Sequence, residues 1–266
     1  MFSAILKYTF LQNALFAALL SAVLCGLIGV ILSEKKMLMM SGGIAHTAYG
    51  GVGLGYLIGF EPIIGAGIFA SLSAIVIGTV RKKGGVHTDI IISLLWSLGM
   101  ASGVLFTTLM PSFPPDMNSY LFGNILTVTK SDLYIMAGVT AVVIITVAIL
   151  FNDWKAFLFD EQFCAVSGIK TNFLEYLLLI LTSLSIVVLI RVVGIILVIA
   201  LLSAPSACAA LISKKLSGRM IIAGVLSFIF CFTGICFSYY LEIASGAAIV
   251  FISVLTYFAL LLFKKR

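Results

Sequence analysis

Apolar runs of about twenty residues recur from one end of this chain to the other, parted by short charged segments. Runs of that length match the hydrocarbon core of a bilayer. In that core each backbone polar group needs a partner within the protein, so the runs must be helical. The chain has 266 residues, 62% hydrophobic and 10% charged, with a mean hydropathy of +1.24; soluble domains are roughly half apolar and a quarter charged. The expectation is an all-α, polytopic transmembrane helical bundle forming one domain over residues 1–266, with no soluble domain and no cleavable signal. The net charge of +6 does not point to nucleic acid, because the basic residues cluster in the short connections.

Nine apolar segments are read at roughly 14–33, 38–58, 62–80, 90–110, 133–151, 173–190, 193–213, 220–240 and 245–263. All of the 16 basic residues except Lys7, Lys130 and Arg191 then fall on one side. By the positive-inside rule that side is the cytoplasm, which puts the N-terminus outside and the C-terminus inside. Residues 173–213 contain no polar turn, and one straight helix of that length would run ~60 Å. The chain must therefore break near Arg191–Gly194. Eight spans result if one segment is only partly inserted.

Two loops are longer than connection requires. Outside, residues 111–132 carry Pro111, Pro114 and Pro115, then SYLFGNILTV, which reads as a short interfacial helix. Inside, residues 152–172 mix acids with Phe157, Phe159, Phe163 and Val166. This loop reads either as a docking surface for a partner or as a solvated amphipathic connector.

The segment MLMMSGGIAHTAYGGVGLGYLIG, residues 37–59, carries His46 where a span should be most apolar. Ionisable groups at that depth usually face a bundle interior or a water-filled path. Gly51, Gly55 and Gly59 share one face and invite close approach of another helix. Gly42, His46 and Gly50 form a second row four residues apart, with Gly43, Thr47 and Tyr49 beside it. His46 is either a hydrogen-bonding packing residue or a pathway ligand for a cation or proton.

The other histidine, His87, reads as a solvated loop residue, and Asp89 as a cap of the fourth helix. Arg191 reads as snorkelling to the interface. Pro205, among small residues, kinks a span that lines a cavity or touches its neighbours closely. Cys25, Cys164, Cys208, Cys231 and Cys236 lack metal-ligand spacing and read as small apolar fillers. No nucleotide-binding or hydrolytic motif appears, so active transport would draw energy from outside the chain.

Several motifs together resemble the integral membrane permeases of bacterial ABC importers for zinc, manganese or iron. SGGIAHTAYGGVGLGYLIG is similar to that family's G-D-A-x-S-H segment, TDIIISLLWSLGMASGVL to its D-x-A-I-G-I segment and DMNSYLFGNILTVTKSDL to its Y-L-F-G-[DS]-I-L segment. FDEQFCAVSGIK, RVVGIILVIALLSAPSACA and SYYLEIASGAAIV resemble three further family segments in the same order. The resemblance spans about residues 14–262 and implies a multi-pass protein of the bacterial cytoplasmic (inner) membrane, surrounded by lipid and working as a homodimer. It implies two copies of a cytoplasmic ATP-binding subunit, an extracytoplasmic metal-binding protein, and no permanently bound cofactor. ATP is hydrolysed by the partner, so the chain itself is not an enzyme.

On this resemblance His46 falls on the family's pathway histidine, with Gly42, Gly43, Thr47, Gly50, Asn124 and Pro205 as candidate lining. Phe159, Asp160, Glu161, Ala165 and Gly168 fall in the segment that couples to the ATP-binding subunit. The family's acid before the histidine is Gly42 here, its serine is Ala45, Asn124 stands where some members have aspartate, and Ala244 replaces a common proline. Loss of a hard oxygen ligand tilts the expected cargo to zinc over manganese or iron. An importer of a metal chelate or vitamin, and a membrane protein that transports nothing, are the competing readings.

Overall fold

The computed structural model describes residues 7–83, 88–111 and 117–264, and these are helical with no strand among them. The helices are α1 (Thr9–Glu34), α2 (Leu38–Ile58), α3 (Pro62–Lys83), α4 (Thr88–Thr108), α5 (Asn118–Phe122), α6 (Lys130–Ile149), α7 (Phe151–Phe159), α8 (Glu161–Val166), α9 (Thr171–Val193), α10 (Val198–Ile212), α11 (Leu216–Leu241) and α12 (Ser245–Lys264). Among the described residues seven are long and apolar enough to cross a membrane: α1, α3, α4, α6, α9, α11 and α12. Helix α2, of 21 residues, and α10, of 15, are apolar too. Each of the nine segments read from the sequence falls on one of these helices.

Helices α1, α2 and α9 form the interior, whereas α4, α6 and α12 turn Leu94, Leu98, Ile145, Ile149, Phe251 and Leu255 outward, as lipid-facing helices should. A π-helical segment, Cys25–Gly29, interrupts α1. It brings Gly26 onto the Met220 carbonyl and Gly224 of α11, and Gly29 onto Leu202 of α10. The chain breaks where the sequence required it, with α9 ending at Gly194 at φ +83°.

Three expectations are corrected. The outer loop forms α5 and then a separate 3-10 turn, Ile125–Thr127, because Gly123 at φ +65° parts them. Asp89 lies within the first turn of α4 rather than at its cap. Cys164, expected in a loop, lies in α8, where it is buried as a small apolar filler. His87 lies outside the described residues.

Candidate metal route

Glycines are poor helix formers, each costing about 1 kcal/mol relative to alanine. Helix α2 is therefore held by its neighbours, and its glycines serve two contacts. Gly51 and Gly55 lie against Gly65 and Pro62 of α3, so closely that a side chain at Gly51 would enter the Gly65 carbonyl. On another side Gly50 and Gly53 meet Gly99, Ser102 and Gly103 of α4. Gly59, expected to continue the first row, instead ends the helix at φ +86°.

His46 lies in the α2–α4 seam and is 5% exposed. Its imidazole meets the Trp96 indole edge-on, with ring centroids 3.7 Å apart and planes at 84°. Nδ1 is buried without a hydrogen-bond partner among the described residues. The Thr47 hydroxyl is already committed: it donates to the Gly43 carbonyl at 2.7 Å and to Leu95 of α4 at 3.1 Å. Tyr49 is buried against Gly103.

At Gly42 a Cβ would come within 2.6 Å of Ile199 Cδ1 and 3.2 Å of the Trp96 ring. The space of a longer side chain is thus filled from α4 and α10. Trp96 and Ile199 were not singled out from sequence. The four-residue spacing of Gly99 and Gly103 was the available sign that α4 packs on α2.

Gly42, Gly43, His46, Thr47 and Gly50 lie along α2, whereas Asn124 and Pro205 lie on other elements. Asn124 caps the 3-10 turn through the Leu126 amide at 3.0 Å and accepts from Ser245 at 3.3 Å. Pro205 is buried within α10. Among the described residues no group of three or more His, Cys, Asp or Glu could hold a metal ion. Among the described residues His46 supplies the one imidazole in this seam.

Arg191 does not snorkel freely. Its guanidinium pairs with Glu61 at 3.3 Å and Asp132 at 3.4 Å and lies 5.0 Å from the Tyr120 ring centroid. Asp132 also closes a capping box with Thr129 at the start of α6. Burial above all pushes the Tyr120 phenol up from its ordinary value.

At the other end of the bundle, residues 152–172 fold into α7 and α8. Helix α7 buries Trp154 and Phe157. Asp160 caps α8, accepting from the Gln162 and Phe163 amides at 2.9 and 3.0 Å. Gly168 ends that turn at φ +80°, with the Ile169 amide reaching back to the Cys164 carbonyl. Asp160 and Gly168 thus shape the segment, and Glu161 pairs with Lys35. Phe159 and Val166 stand 93% and 90% exposed. Phe159 lines a cleft of about 750 Å³ together with Phe163, Leu216, Lys155, Lys214 and Arg219, among others. Nothing is described of the Ala165 side chain.

The model of the ABC 3 transport family matches residues 7–264. The chain belongs to that family. It is 37% identical to an uncharacterized membrane protein of Synechocystis sp., over 98% of this chain and 92% of that one. It is 34% identical to the manganese transport system membrane protein MntC of Halalkalibacterium halodurans, over 98% and 89%. Among solved structures, a chain of PsaBC from Streptococcus pneumoniae in complex with Fab superposes with a TM-score of 0.88 at 30% identity, covering 97% of this chain and 93% of that chain. This member of the family is a metal-type ABC permease and a multi-pass protein of the inner membrane.

Proposed function

We propose that this chain is the permease subunit of an ATP-driven importer of divalent transition-metal ions, with manganese as cargo. The observation that carries manganese is the 34% identity, over nearly the whole chain, to a protein named for manganese transport. The preference for zinc is withdrawn. It treated Gly42 as a ligand lost from an otherwise open site, whereas Trp96 and Ile199 occupy that place. The substitution reports packing and no longer argues about metal softness.

In this reading the chain makes nine spans, with its N-terminus outside and its C-terminus in the cytoplasm. Ion pairs and ring contacts that gather Lys35, Arg81, Lys82 and Arg219 at one end support the orientation. Residues 1–266 act as one permease domain, and two copies form a homodimer around a shared route. Each copy contributes the imidazole of His46 as a neutral nitrogen ligand. One such ligand per chain suits passage, because a permease must release what it binds.

Two ATP-binding subunits dock on residues 152–172 through exposed Phe159, Phe163 and Val166, and hydrolysis is theirs. An extracytoplasmic metal-binding protein delivers the ion. The test is uptake into proteoliposomes holding the assembled transporter, with manganese, zinc and ferrous iron offered separately. ATP-dependent manganese uptake at the lowest ion concentration is expected. Uptake of zinc alone would overturn the cargo. No ATP-dependent uptake of any of the three would overturn the function.

A further inference from the structure

Lys35 is unlike the lysines that surround the cytoplasmic cleft. It belongs to the turn between α1 and α2, yet its side chain is only 9% exposed. Its ammonium donates to Glu161 Oε2 at 2.7 Å and to the Phe157 carbonyl at 3.4 Å, and it lies 3.5 Å from the centroid of the Phe157 ring. All three contacts fall on α7 and α8. Its neighbour Glu34 pairs instead with Arg219 of α11, and Met37 receives Arg81 of α3 at 2.9 Å. The turn is gripped on every side, and Lys36 takes φ +57° within it. Helix α2 starts directly afterwards, and eight residues on, about 12 Å along its axis, it carries His46.

A lysine taken out of water loses hydration that only good partners replace. Here those partners are a carboxylate, a carbonyl and a ring face, interactions that gain strength where water is excluded. They form a direct link from α8 to the start of α2. Without them the covalent path from α8 to the start of α2 runs back through α7, α6, α5, α4, α3 and α2 itself.

We infer that Lys35 is a positioning residue that latches the coupling segment to the helix carrying His46, so that a displacement of α8 is felt at the start of α2. The inference rests on residues 152–172 being where the ATP-binding subunit docks. Arg81 and Glu175, 3.2 Å apart, tie α3 to α9.

The experiment uses Lys35→Met in the assembled transporter and in the permease alone. The variant complex is expected to bind its ATP-binding subunit and hydrolyse ATP, while ions imported per ATP fall about tenfold or more. In the permease alone, amide exchange over residues 157–166 is expected to rise. Lys35→Arg, and the swap of Lys35→Glu with Glu161→Lys, should restore coupling. Were Lys35→Met not to assemble, Lys35→Gln, which keeps a polar head without the charge, is read the same way. Unchanged ions per ATP, or unchanged exchange, would overturn the latch. A wild-type complex that imports no metal would instead overturn the function proposed above, and the exchange measurement would still decide the latch.

Discussion

Trp96 stands edge-on to His46 at a ring-centroid distance of 3.7 Å, and the same indole closes over Gly42 one turn earlier on α2. One residue of α4 thus borders both positions at which the resembled family carries pathway ligands. The seam is narrow because α2 and α4 meet through Gly50, Gly53, Gly99 and Gly103.

Gly42→Asp should not simply restore a ligand. Its Cβ would approach Ile199 Cδ1 to 2.6 Å, and overpacking of this kind costs about 1–3 kcal/mol. Lower thermal stability in detergent is expected, with Ile199→Ala in the same chain recovering most of the loss. Equal losses with and without Ile199→Ala would show that steric crowding is not the cause.

Two glycines of α3 should respond oppositely to the same change. A methyl at Gly65 would enter the Gly51 carbonyl, whereas one at Gly67 meets nothing within 4 Å. Gly65→Ala is expected to cost about 1–3 kcal/mol, and Gly67→Ala to gain up to about 1 kcal/mol from helix propensity. Thermal unfolding of the two variants side by side checks the α2–α3 contact.

The coupling segment depends on its caps. Asp160→Ala removes an acceptor of two amides, at a cost of about 1 kcal/mol. Gly168→Ala forces a side chain into φ +80°, at a similar cost of about 1 kcal/mol. Both should speed amide exchange over α8 and weaken capture of the ATP-binding subunit, and Gly168→Pro should abolish coupled transport. Wild-type affinity in both alanine variants would mean that the shape of α8 is irrelevant to docking.

The helices were largely legible because a bilayer imposes one period and one length: apolar segments read at 62–80 and 220–240 lie on α3 and α11. The break near Arg191–Gly194 was legible from the length of the apolar run together with the charge and the glycine it carries there. His46 stood out because a titratable group in an apolar run is costly. The surroundings of that residue were not legible. Trp96 and Ile199 come from helices far away in sequence, and nothing in a period of 3.6 residues says which face of α4 meets α2. Arg191 looked like a residue reaching for water because its partners, Glu61 and Asp132, are 130 and 59 positions away in the chain. Asp160 and Gly168 matched a family segment, but their backbone roles appear only once φ values and amide partners are known.

The most direct test of the account is ATP-dependent manganese uptake by the reconstituted transporter carrying His46→Ala. The seam predicts a variant that assembles and hydrolyses ATP but imports manganese at least about tenfold more slowly, because among the described residues it removes the one imidazole there. Wild-type uptake by that variant would contradict the assignment of the route to His46.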